Sequence, residues 1–195
     1  MPLLHNSAAV SILVVAKLDD QVEAINAALR DAGQAVHCHK VDKLADLEAC
    51  YLQHQPLLIA IFENASKTNL GSAVATMATV EPCIPIILIT NDVSEASIAG
   101  AMALGARDAV SLGNTVRLQT VALRELRACQ NELSLRKVMH SASQFKHELH
   151  ALKQVSVDAI ADIQEGIIVN ANPAWLELFG FPADTDLAGL PIMDL

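Results

Sequence analysis

The sequence predicts an α/β protein with a five-stranded, doubly wound parallel sheet, followed by a long helix and a small, partial α+β segment. Three observations predict it. Short aliphatic runs alternate with helix-spaced stretches as far as Val110, no Gly or Pro occurs between Gly113 and Gly166, and the texture turns polar and turn-rich again after Asp158. The composition agrees: 52% of residues are apolar but only 3% aromatic, so the core must be aliphatic. Cores of that kind suit parallel strands buried on both faces.

The first strand is Ile12-Leu13-Val14-Val15, a continuous aliphatic run. Apolar residues then fall at Val22, Ile25, Ala28 and Leu29, the spacing of one helix face, and Gly33 is placed to end that helix. Ala35 to Lys40 fits a second strand, and a second helix is expected from Asp42, as its N-cap, through Leu44, Leu47 and Cys50. Leu57 to Phe62 is a third strand, followed by a polar loop from Asn64 to Asn69 and a helix from Ser72 to Val80. Pro85 to Thr90 is the fourth strand. A helix from Ser94 to Leu104 ends at Gly105, and Ala109-Val110 is a short fifth strand before another helix. Strands alternating with helices imply parallel pairing and right-handed crossovers, with any chemistry at the carboxyl ends of the strands.

Charge and cysteine usage exclude several classes. A formal charge of −9 disfavours nucleic acid and anionic membrane surfaces as partners. Cys38, Cys50, Cys83 and Cys129 lie far apart without C-x-x-C spacing, which suggests neither a zinc site nor a disulfide framework. The apolar run from Ser11 to Ala16 is too short for a membrane span or a signal peptide, so a cytoplasmic protein without membrane insertion is expected. His37 and His39 share a strand face with Cys38 on the other, and His147 and His150 stand three apart on a helix; both sets read as structural or solvated rather than as metal sites. No cofactor or metal is expected.

Residues 1–128 resemble a response-regulator receiver domain. The resemblance rests on Ile-Leu-Val-Val at 12–15, Ala-Gly at 32–33, Pro85 to Thr90, and Ala-Leu-Gly-Ala-Arg-Asp at 103–108. It implies an acidic pair after the first strand, an acceptor Asp ending the third, Thr or Ser ending the fourth, and Lys after the fifth. Carboxylates would hold Mg²⁺, while the Lys and the hydroxyl would bind phosphoryl oxygens. Here those places fall on Ala16 and Lys17, on Glu63, on Thr90 and on Leu112, so only Thr90 matches. The pocket is expected to be vestigial and the domain non-catalytic. Asp19 and Asp20 sit about a turn late and read as helix-start residues; as metal ligands they would define the alternative, a phosphorylatable receiver feeding a histidine kinase or an active cyclase or phosphodiesterase. Lys17 and Glu63 could pair and lock the pocket, but both side chains pointing into solvent is the plainer expectation.

Residues 129–156 read as a helical, coiled-coil-like linker. Leu135, Val138, Ala142, Phe145, Leu149 and Leu152 follow a three-four spacing, the period of a coiled-coil seam. Leu123, Leu126 and Leu133 follow another phase, as expected for residues packed on the receiver. A homodimer is the expectation, with parallel pairing considered first and the direction left open by the sequence; folding back onto the chain's own domain is the alternative. From 157 to 195 the chain resembles the opening of a PAS domain, with a hairpin turning at Glu165-Gly166, then Asn-Ala-Asn-Pro at 170–173, then a short helix to Phe179-Gly180. A whole PAS domain is longer, so a fragment of a larger protein is expected.

The order receiver, helix, PAS resembles the N-terminal part of FimX-type cyclic-di-GMP signalling proteins. That resemblance implies degenerate GGDEF and EAL domains downstream, a role in type IV pilus assembly and twitching motility, protein partners in a signalling or pilus-assembly complex, and a place at the cell pole. It also implies self-association through the fourth helix, fifth strand and fifth helix of the receiver.

Overall fold

The computed structural model describes residues 9–64, 70–81, 83–182 and 184–194. The chain divides into two compact units, one through Ser134 and one from Leu135 onward.

The first unit is built on β1 (Val10–Val15), β2 (Val36–Val41), β3 (Leu58–Phe62), β4 (Ile86–Ile89) and β5 (Asp108–Val110). The sheet order is β2-β1-β3-β4-β5 and every pair is parallel. Chain order reverses between β1 and β3, so the carboxyl ends of those two strands flank the crevice of a doubly wound fold. Helices α1 (Asp19–Asp31), α2 (Leu47–His54), α3 (Leu70–Val80) and α4 (Glu95–Ala103) connect the strands. All five residues of β3 are buried, as are Ile12 to Val15, which explains why these strands read as unbroken aliphatic runs.

Local chemistry sets the helix ends. The Ser94 hydroxyl accepts the Ser97 amide to cap α4. After α4 the chain turns at Gly105 with φ +98°, and a Cβ there would lie 2.6 Å from Cγ1 of Val74 on α3, so the turn needs glycine for both conformation and space. The Asp42 cap is corrected: a short 3₁₀ turn, Leu44–Asp46, begins after Lys43, and the Asp42 carboxylate instead bonds Lys40 at 3.1 Å. Lys40 attracts it because Asp42 follows directly on an edge strand whose side chains are half open to water. Of the loop expected to be polar after β3, residues 65–69 lie outside the described residues.

Helix α5 runs from Thr115 to Val155 without a break. Its first turns belong to the sheet unit. Leu118, Val121, Ala122, Leu126 and Cys129 are buried, Leu123 and Leu133 are half-buried, and the Gln119 side-chain amide donates to the Ala28 carbonyl at 2.8 Å.

The second unit contains the rest of α5, the antiparallel hairpin β6 (Ala161–Gln164) and β7 (Ile167–Ala171), and α6 (Pro173–Leu178). The hairpin turns at Glu165 and Gly166 with φ +51° and +80°, the two positive values a two-residue type I′ turn requires. Asn172 caps α6, with Pro173 at its first position. A small core of Ile168, Trp175, Leu176 and Leu187 packs beneath, with Phe179 and Phe181 rings 4.3 and 6.2 Å from that of Trp175. Among the described residues, no helix is long and apolar enough to cross a membrane.

Candidate functional site

The carboxyl ends of β3 and β4 open into a cleft of about 100 Å³ lined by Gln21, Phe62, Glu63, Asn64, Ile89, Thr90, Asn91 and Leu112. Glu63 follows directly on β3 and is exposed; Thr90 follows β4 and is 3% exposed. The Thr90 hydroxyl donates to the Glu63 carboxylate at 2.5 Å and accepts the Asp92 amide at 3.1 Å. The row continues: the Ser94 amide donates to the Asp92 carboxylate at 3.0 Å, and the Ser97 amide to the Ser94 hydroxyl at 3.3 Å.

The structure brings Glu63, Thr90 and Leu112 together and leaves Ala16 and Lys17 off the cleft wall. Ala16 is buried at the end of β1. The Lys17 side chain is exposed and forms no ion pair among the described residues; Glu63 is bonded to Thr90 instead. The cause is local. The Gln21 side chain turns back from α1 to accept the amides of Lys17 and Leu18, each at 3.2 Å, which ties that loop to the helix start. Asp19 bonds Lys40 at 2.9 Å on the β2 side, and the Asp19 and Asp42 carboxylates together hold the Lys40 ammonium above its usual range. Neither Asp19 nor Asp20 lines the cleft.

The seam residues of α5 stand open. Leu135, Val138, Phe145, Leu149 and Leu152 are 55–71% exposed, and Ala142 is exposed between them. The hairpin holds other positions of the same helix: Lys153 bonds Asp162 at 2.5 Å, and His150 lies 3.5 Å from the Asn170 amide.

Several functional-looking contacts escaped sequence reasoning. Asp108, buried on β5, accepts Arg117 at 2.8 Å, with Arg124 at 3.6 Å, and so joins the last strand to α5. The rings of His39 and His54 stack 3.8 Å apart; burial first, then the neighbouring His54 and His37, lower the pKa of His39. Burial pushes the thiols of Cys38 and Cys129 up to about 11, where they stay protonated and inert. Among the described residues no cluster of His, Cys, Asp or Glu is arranged to hold a metal ion. A signal for the Asp108 link was present, since Arg117 and Arg124 stand seven residues apart and share a helix face.

No family model matches the chain, and no curated protein matches it. Solved structures do. NtrX from Brucella abortus in complex with ATP superposes with a TM-score of 0.55 at 19% identity over 67% of this chain, which spans only 29% of that one. The signal receiver domain of a Luxo repressor protein from Vibrio parahaemolyticus gives a TM-score of 0.55 at 16% identity, covering 66% of this chain and 98% of its own. A pilus assembly-related protein from Burkholderia pseudomallei gives 0.53 at 20% identity, covering 66% and 97%. At these identities the likeness is one of fold, and the first unit is a receiver-type, five-stranded parallel α/β domain.

Proposed function

We propose that this chain is a non-catalytic regulatory and self-association module of a bacterial cyclic-di-GMP signalling protein that serves type IV pilus function and twitching motility, and that its receiver fold accepts no phosphoryl group. The observation that carries the reading is the Glu63–Thr90 hydrogen bond. The side chain at the acceptor place and the hydroxyl that would bind a phosphoryl oxygen already satisfy each other. Among the described residues the cleft wall also offers no carboxylate besides Glu63 to hold Mg²⁺, and Leu112 stands where a Lys would be needed. Support for the wider setting comes from the order of parts, a receiver fold, a long helix, then a hairpin and capped short helix, together with the fold likeness to a pilus assembly-related protein. Residues Leu135 to Leu152 serve self-association, through an apolar stripe that is open to solvent.

Two measurements test the proposal. Incubation with acetyl phosphate and Mg²⁺ leaves the intact mass unchanged; a phosphate-bearing mass overturns the reading and favours Asp19 or Asp20 as ligands of a working site. By light scattering the chain has twice its formula mass, and Phe145→Glu has the formula mass alone. The same substitution, placed in the producing bacterium, shrinks the twitching zone.

A further inference from the structure

The spacing of the α5 seam permits pairing in either direction, and the sizes of its side chains distinguish the two. Its six residues are spaced 3, 4, 3, 4, 3, which reads the same from either end. Their sizes are not symmetric. Ala142 is the smallest and Phe145 the largest, and they are neighbours near the middle.

We propose that this stripe pairs with the same stripe of a second copy running in the opposite direction, about a two-fold axis between Ser143 and Gln144. The inference rests on the self-association argued above and adds its geometry. In the reversed arrangement Leu135 meets Leu152 of the second copy, Val138 meets Leu149, and Ala142 meets Phe145. Each layer then holds a similar total volume, with the smallest side chain opposite the largest. The parallel, in-register arrangement stacks Ala142 on Ala142 and Phe145 on Phe145. That places an underfilled layer next to an overfilled one, and both conditions weaken a packed seam.

The flanks agree with the reversed direction. Seven-residue bookkeeping sets Lys146 beside Met139 of the second copy, where its methylene stem covers the thioether, and sets Glu148 beside Ser141, so no like charges oppose. The parallel arrangement would offer one attraction across the seam, Glu148 with Lys153, but Lys153 is already held by Asp162 at 2.5 Å. The hairpin grips α5 through Lys153 and His150 while Leu149 and Leu152 stay exposed, so the last two layers are free to receive Val138 and Leu135 of the other copy. The whole seam is about 26 Å long.

A charge swap on the full chain tests the direction. Leu135→Glu places an acid in two layers and weakens the dimer about 100-fold, tenfold per layer. Adding Leu152→Lys in the same chain restores it to within about tenfold of the parent, because the reversed arrangement sets each Glu opposite a Lys. Parallel pairing would set Glu against Glu and Lys against Lys, so a double variant weaker than Leu135→Glu alone overturns the direction and leaves self-association standing. A parent chain that is monomeric overturns the self-association beneath it, and a dimer indifferent to all these substitutions overturns the seam as its interface. Circular dichroism checks that each variant is folded. A benzophenone amino acid at position 152 gives an independent reading: cross-links to the peptide around Leu135 are expected, and cross-links to the peptide around Leu152 overturn the proposal.

Discussion

Asn172 is 1% exposed and uses both ends of its side chain. Its oxygen accepts the amides of Ile160 and Trp175, each at 2.9 Å, and its nitrogen donates to the carbonyls of Lys153 at 3.0 Å and Asp158 at 2.8 Å. One residue thus joins the last turn of α5, the segment leading into β6, and the first turn of α6. Asn172→Ala removes a helix cap and leaves carbonyls without partners; a loss of about 2–3 kcal/mol in the second unit is expected, measured by denaturant titration. Asn172→Asp keeps the capping oxygen but sets a buried carboxylate oxygen against the carbonyls of Lys153 and Asp158, so it is expected to lose at least as much as Asn172→Ala. His39 gives a residue-scale pH effect. Its pKa is lowered below 6.5 in the folded chain, so the unfolded chain binds more protons in the window beneath that value. Its neutral form therefore supports the fold above about pH 6.5, and that support is lost as the pH falls through the folded value. Urea midpoints of the parent fall more between about pH 7 and 5 than those of His39→Gln, whereas equal declines would contradict the sign.

At the scale of elements, the β6–β7 turn is well formed but not well chosen. Glu165 occupies a positive-φ position that costs it conformational energy, while Gly166 fits its own without strain. Glu165→Asn is expected to stabilise the second unit by about 0.5 kcal/mol, seen as a higher thermal midpoint. The existence of every strand was legible because period and run length encode burial: Leu58 to Phe62 is apolar throughout and buried throughout. Turn chemistry was legible too, in Glu165-Gly166 and in Asn172-Pro173. What was hidden depends on side-chain reach across elements. Asp42 carries the chemistry of a cap, yet Lys40 two residues earlier on the strand takes it. Position alone puts Lys17 and Glu63 at the carboxyl ends of neighbouring strands, but Gln21 draws the loop after β1 back to α1, and Thr90 offers Glu63 a hydroxyl. The cap at Asn172 could be read from its local motif; its reach back to Lys153 could not, because the turn at 156–160 brings them together.

For the whole molecule, the two units differ greatly in what they bury. The sheet unit has an extensive aliphatic core spanning all five strands and their helices, while the second unit closes, among the described residues, over four buried apolar side chains. Small cores stabilise weakly, so heating is expected to produce two calorimetric transitions, the smaller one first. A single transition whose calorimetric and van't Hoff enthalpies agree would show the units to be one cooperative body. The chain also has one tryptophan and one tyrosine. Trp175 lies in the core of the second unit, Tyr51 on α2 of the first. Near-ultraviolet light therefore singles out one unit by colour. Excitation at the red edge of the indole band addresses the hairpin unit alone, because the phenol of Tyr51 does not absorb there. When a partner is titrated in, a change in that emission reports that the hairpin unit has been touched, with no dye attached and no residue changed.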